Sequence, residues 1–148
     1  YPDRGLFNVH VGYKAEARYA NGVTMSSSNG KAGVKFIGAD GWLSVKRGGF
    51  NAHDRNILRE KIGEDGVQHY RSRNHMGNFL DCMRTRKETI CPVEVGHRSN
   101  TVCILHHISM KLGRKLAWDP KTEQIVGDEE ANAMLDYPHR KGWEVWGN

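Results

Sequence analysis

Eight histidines and three cysteines are the residues of this chain best suited to binding a metal or passing a proton. Cys103 and His107 stand four positions apart with His106 beside the second. That spacing puts two soft ligands on one helix face. A zinc site needs three or four ligands, and no HExxH or paired Cys or His motif supplies the rest. Helix histidines and a reduced thiol, with no metal, are the expectation. Cys82, Cys91 and Cys103 are odd in number and lack CxxC spacing, which argues against a disulfide framework. Cys82 and Cys103 fall in apolar helical patterns and are expected to be buried.

Nucleophilic and cofactor chemistry find little support. No GxSxG elbow occurs, and Ser26-Ser27-Ser28 reads as the polar end of a hairpin strand. The 17 glycines contain no GxGxxG. Gly30, Gly33 and Gly38 are separated by β-type residues instead of opening a helix, so no nucleotide cradle is expected in this chain. Trp42, Trp118, Trp143 and Trp146 could stack on sugars. Trp42 begins a strand and Trp118 precedes a turn, so packing is the expectation for both.

The elements that must position these residues can be read from periodicity. Phe7 to Tyr19 alternates apolar with polar, the mark of a half-buried strand. Asn21-Gly22 predicts a type I′ turn, and Val23 to Ser28 a returning strand. Gly33 to Ala39, Asp40-Gly41 and Trp42 to Arg47 repeat the logic, so the first third reads as a four-stranded antiparallel meander. Asp54 predicts the N-cap of a helix from Arg55 to Ile62 that stops at Gly63. Met76, Phe79, Leu80 and Met83 predict an amphipathic helix from Ser72, its N-cap, to Lys87. After Pro92 a third helix is expected from near Val95 or His97 to Leu112, burying Val102, Leu105, Ile108, Ser109 and Leu112 and ending at Gly113. Lys115 to Trp118 and Glu123 to Val126 predict short extended pieces about the turn Asp119-Pro120-Lys121-Thr122. A helix from Asp128 to about Leu135 follows, then a packed arm from Tyr137 to Asn148.

A chain of 148 residues suits a single domain, 1–148. With 38% hydrophobic and 26% charged residues it reads as an ordinary globule, and no apolar run reaches a membrane span. Its net charge is +5, but the basic clusters Arg84 to Lys87 and Lys111 to Lys115 sit at predicted helix ends, where the macrodipole favours cations. Neither a nucleic-acid nor a membrane partner is expected. The opening Tyr1-Pro2-Asp3 has no initiator Met and no export signal, so the natural N-terminus is expected to lie upstream. The compartment stays open: cytoplasmic, or periplasmic if a twin-arginine signal precedes.

EVGHRSNTVCILHHISMKLGRKLAWDP, followed by IVGDEEANAML, closely resembles the Gfo/Idh/MocA oxidoreductases, in particular a bacterial subgroup ending in GHRS…LGRKL.WDP…GDEEAN. NFLDCMRTRKETICPVEVGHRS and GVKFIGADGWLSV resemble the family too, and together the matches cover most of residues 23 to 135. The resemblance implies an α+β fold: an antiparallel open sheet with helices packed on one face, forming the C-terminal substrate-binding and oligomerisation domain of a two-domain enzyme. It implies NAD or NADP for the full-length parent, held by an N-terminal Rossmann domain that is this chain's partner. The family's catalytic Lys, Asp and His have no counterpart here, so turnover from this chain alone is not expected. A sugar, polyol or related hydroxy compound is the implied substrate, and a homo-oligomer through the sheet face the implied assembly. Family substrate contacts map to Ser28, Asn29 and Lys31; His97 and Arg98 either cap the third helix or face the cleft. Two rival roles are a self-association module, using the polar face of Asn8, His10, Lys14, Glu16 and Arg18, and a carbohydrate-binding module.

Overall fold

The computed structural model describes residues 6, 9–30, 32–136 and 139–142. They form an α+β fold in two compact units, Tyr1–Asn29 with Val93–Asn148, and Gly30–Pro92. Among the described residues no helix is long and apolar enough to cross a membrane.

In the first unit β1 (Lys14–Arg18) and β2 (Thr24–Ser28) form an antiparallel hairpin, with Lys14 opposite Ser28 and Arg18 opposite Thr24. Ala15, Ala17, Met25 and Ser27 are half-buried while their strand neighbours are exposed, the alternation that a one-sided sheet imposes. The strand is shorter than the sequence predicts. Val11 is 81% exposed, because the five-residue β2 offers nothing for the earlier residues to pair with; Phe7 and Asn8 lie outside the described residues. The turn also differs. Tyr19 N–H donates to Val23 O and Gly22 N–H to Tyr19 O, both at 2.9 Å. Gly22 has φ 87°, whereas Asn21 is not among the positive-φ residues. A type I′ turn needs positive φ at both central residues; here a three-residue loop puts that demand on the glycine alone.

Helix α2 (Val93–Leu112) follows Pro92 and lies against β1. Gly113, at φ 65°, ends it. Arg114 N–H reaches back to Ser109 O at 3.3 Å, the six-to-one bond of a Schellman motif. The chain then forms a two-residue ladder, β6 (Trp118–Asp119) with β7 (Gln124–Ile125), and the short α3 (Glu129–Asn132). Ile108, Ile125 and Ala131 are the buried centre, with Leu105, Leu112, Leu116, Trp118, Met134 and Leu135 packed around it. The helix face expected from Leu105, Ile108 and Leu112 is the one that packs, while Val102 and Ser109 are half-buried.

The second unit holds a separate three-stranded antiparallel sheet of β3 (Val34–Gly38), β4 (Gly41–Lys46) and β5 (Gly49–Ala52). The predicted four-stranded meander is thus divided between two sheets, and β5 is an additional strand. Gly38 pairs with Gly41, so the first turn is Ala39-Asp40, one residue earlier than the sequence predicts. Asp54 does cap: its carboxylate accepts from Asn56 N–H at 2.9 Å. The element is a 3₁₀ turn, Arg55–Arg59, and stops short of Gly63. Helix α1 (His75–Thr85) is capped by Asn74, which accepts from Gly77 N–H at 2.9 Å. Ser72 instead donates its hydroxyl to Asn74 O. Met76, Phe79, Leu80 and Met83 do share a helix face, but all four are exposed, and only Cys82 on α1 is buried. Cys103, expected in the core, is exposed, as is Cys91.

Candidate functional site

Two polar clasps in the first unit hold the β6–β7 turn and α3 against α2. Because α2 begins at Val93, His97 and Arg98 fall on its second turn, too late to cap it. Arg98 Nε donates to Glu94 Oε1, one turn back, at 2.7 Å, and its Nη1 donates to Pro120 O at 3.0 Å. Glu123 Oε1 lies 2.9 Å from His97 Nε2 and 3.1 Å from Arg98 Nη1. The hydrogen bond from His97 holds the Glu123 carboxyl below the ordinary range. Asp119, kept low chiefly by Lys121 N–H, turns the chain between them and also accepts from Thr122 Oγ1 at 2.9 Å.

The second clasp joins the end of α2 to α3. Arg114 makes a bidentate pair with Asp128 at 2.9 and 2.8 Å and reaches Glu130 at 2.7 Å. Asp128 also N-caps α3, accepting from Ala131 N–H at 3.0 Å. Arg114 first, then that cap, depress the Asp128 carboxyl. Asn132 closes the turn: its Oδ1 accepts from Ile125 N–H and its Nδ2 donates to Ile125 O, each at 2.7 Å.

The expected substrate-side residues occupy a different place. Ser28 is exposed opposite Lys14. Asn29 locks the end of the hairpin, accepting from Tyr13 N–H at 3.2 Å and donating its own N–H to Tyr13 O at 3.4 Å. Lys31 lies outside the described residues. It is Ser27 that turns inward, its Oγ 3.1 Å from His106 Nδ1. His10 sits edge-on to Tyr13 at 5.1 Å and tilted to His107 at 6.3 Å. His97 is nine residues from His106 along α2, about 14 Å along the axis.

This arrangement limits the chemistry available. His106 Nε2 is buried, and among the described residues none hydrogen-bonds it as the orienting acid of a nucleophilic triad would. Among the described residues no group of three or more His, Cys, Asp or Glu is placed to hold a metal. A pyrophosphate cradle needs a glycine turn opening a helix; Gly96 lies within α2 and Gly33 leads into β3. The inward Ser27 could be found from the alternation Met25, Ser27 in β2. Glu123 has no such sequence signal, for its role depends on a φ of 54°.

The family model described as the C-terminal alpha/beta domain of an oxidoreductase family, of the Gfo/Idh/MocA type, matches residues 16–145. No curated protein and no solved structure matches the chain. The match runs from β1 past α3 and takes in both clasps, and the sheet-then-helix order of the fold agrees with it. This chain belongs to the Gfo/Idh/MocA oxidoreductase family, as its C-terminal alpha/beta domain.

Proposed function

We propose that the chain serves as the substrate-side and subunit-contact domain of an NAD- or NADP-dependent oxidoreductase acting on a sugar, polyol or related hydroxy compound. The observation that carries this reading is the family match over residues 16–145. In it the nicotinamide belongs to an N-terminal Rossmann domain, the covalent partner of this one. Ser28 and Asn29, with Lys31, are the proposed substrate contacts, since hydroxyl and amide groups orient an alcohol for hydride transfer. His97 and Arg98 act through the turn they hold. The test is turnover by the full polypeptide with a panel of sugars, polyols and hydroxy acids, read as reduced nicotinamide formed. The expected result is reduction with a member of the panel and loss of turnover, with nucleotide binding retained, when residues 1–148 are deleted. Unchanged turnover in the deletion contradicts the proposal.

One observation favours self-association as part of the role: Val34, Phe36 and Phe50 lie on the same sheet face and are exposed. Apolar faces of this kind mark protein contacts. Sedimentation of the full polypeptide is expected to show an oligomer; a concentration-independent monomer contradicts this part.

A further inference from the structure

Both Asn-Gly pairs of the chain lie on the β1–β2 hairpin, Asn21-Gly22 in its turn and Asn29-Gly30 just past the end of β2. An asparagine before glycine is open to attack on its own side-chain amide, because glycine has no Cβ to hinder its backbone nitrogen as it nears the amide carbon. The two pairs share most of what governs that attack. All four residues are exposed, so water and hydroxide reach them. Each amide oxygen already accepts from a backbone N–H, Asn21 Oδ1 from Val23 at 3.1 Å and Asn29 Oδ1 from Tyr13 at 3.2 Å. Such a donor stabilises the negative charge that the oxygen gathers during attack.

The glycine nitrogens differ. Gly22 N–H donates to Tyr19 O at 2.9 Å, and that bond must break before the nitrogen can attack. Among the described residues nothing accepts from Gly30 N–H. The Asn29 amide is also held beside its own peptide group. Tyr13 stands opposite Asn29, one step beyond the Lys14–Ser28 pair, and Asn29 N–H donates to Tyr13 O at 3.4 Å. The return bond from Tyr13 N–H goes to the Asn29 side-chain oxygen instead of the main-chain one. The side-chain oxygen therefore takes the ladder position of the main-chain carbonyl, next to the peptide bond whose nitrogen belongs to Gly30. A Cβ at Gly12 would stand 3.8 Å from Asn29 Oδ1 and 3.9 Å from Nδ2, so glycine at that position leaves room beside the amide.

We propose that Asn29 is a self-modification site, at which the domain deamidates and isomerises ahead of Asn21. The Gly30 nitrogen, its proton taken by hydroxide, bonds to Asn29 Cγ and closes a succinimide ring. The Cγ–Nδ2 bond breaks, and the nitrogen leaves as ammonia with a proton from water, which restores the hydroxide. Water then opens either ring carbonyl, giving aspartate, or isoaspartate with the main chain running through Cγ. The net change takes in water and releases ammonia, with no oxidant and no cofactor. Isoaspartate adds a carbon to the main chain where Asn29 meets Tyr13, and either product sets a carboxylate there. The modification is independent of the oxidoreductase reading; its effect on turnover rests on that reading, in which Asn29 is a substrate contact.

The test incubates the full polypeptide in mildly alkaline buffer, with and without guanidinium. Peptide mass spectrometry follows the mass gained when the amide NH2 becomes OH, and electron-transfer fragmentation separates isoaspartate from aspartate. The net worth of the Gly22 hydrogen bond puts Asn29 ahead of Asn21 by at least about fivefold in the folded chain, and the lead should vanish in guanidinium. Amide hydrogen exchange, read by NMR, should be faster at Gly30 than at Gly22 by a like factor. Asn21 converting as fast as Asn29 in the folded chain overturns the proposal, as does a lead that persists in guanidinium or exchange at Gly22 as fast as at Gly30. Isoaspartate at position 29 with undiminished turnover would uphold the site and remove Asn29 from the substrate contacts; turnover by a polypeptide whose Asn29 stays intact throughout would sink the site and leave the oxidoreductase reading standing.

Discussion

Replacing Asn132 should release the β6–β7 turn from α3. Val126 N–H bonds across the ladder to Ala117 O at 2.7 Å, which leaves the N–H and C=O of Ile125 to the Asn132 amide, both at 2.7 Å. Ile125 is 1% exposed, so water cannot readily replace either bond. Two net hydrogen bonds at about 1 kcal/mol each, with some of the ~1–3 kcal/mol charged for an unsatisfied buried group, put Asn132→Ala at about 2–4 kcal/mol. That corresponds to Ile125 amide hydrogen exchange about thirtyfold faster or more, measured by NMR. Asn132→Asp keeps the acceptor for Ile125 N–H but sets a carboxylate oxygen against Ile125 O. Its folded pKa must then rise above the unfolded value near 4. The lost stability is therefore present when the carboxyl is protonated, at low pH, and disappears as pH rises through the folded pKa. Exchange at Ile125 that stays within about twofold of the parent in Asn132→Ala, or that is slow at neutral pH in Asn132→Asp, would refute the reasoning.

Three other perturbations probe the same unit. Gly113→Ala forces a Cβ into a φ of 65° and should cost about 1–2 kcal/mol, seen as a lower urea midpoint; Gly113→Asn should cost less. Ile108 is 1% exposed, so Ile108→Ala should lose about 2–5 kcal/mol and Ile108→Val about 0.5–1.5 kcal/mol in the same experiment. Asp128, Asp119 and Glu123 are all held low. Their contribution is complete above the unfolded carboxylate values and is lost as pH falls through the lower folded ones. Urea midpoints taken down the acid range should fall accordingly, and Arg114→Met, which removes the main cause of the Asp128 depression, should flatten that fall. An identical acid limb in the variant contradicts the assignment.

Features that depend on a few neighbouring residues were legible in the sequence. Asp54 caps as read because a cap needs only an N–H two or three positions ahead. Gly113 stops α2 because its freedom at positive φ is intrinsic. The α+β class and the family were likewise legible. Features set by distant partners were not. The stripe Met76, Phe79, Leu80 and Met83 shows which residues share a face but not that α1 leaves it exposed; a helical period cannot say whether anything covers it. The alternation from Phe7 predicts a long strand, yet its paired length is set by β2. His97 and Arg98 stand out by composition, while their partner Glu123 is 26 residues away from His97 and held by an unusual backbone angle. Residues of the GHRS…LGRKL.WDP…GDEEAN signature make the clasps: His97 and Arg98 in one, Arg114, Asp128 and Glu130 in the other, and Asn132 between strand and helix.

The most direct test of the account is a pair of nucleotide titrations, NAD(H) and NADP(H) into the full polypeptide and into residues 1–148 alone. Binding by the full polypeptide and none by residues 1–148 is the predicted result. Comparable binding by residues 1–148, or none by the full polypeptide, would contradict it.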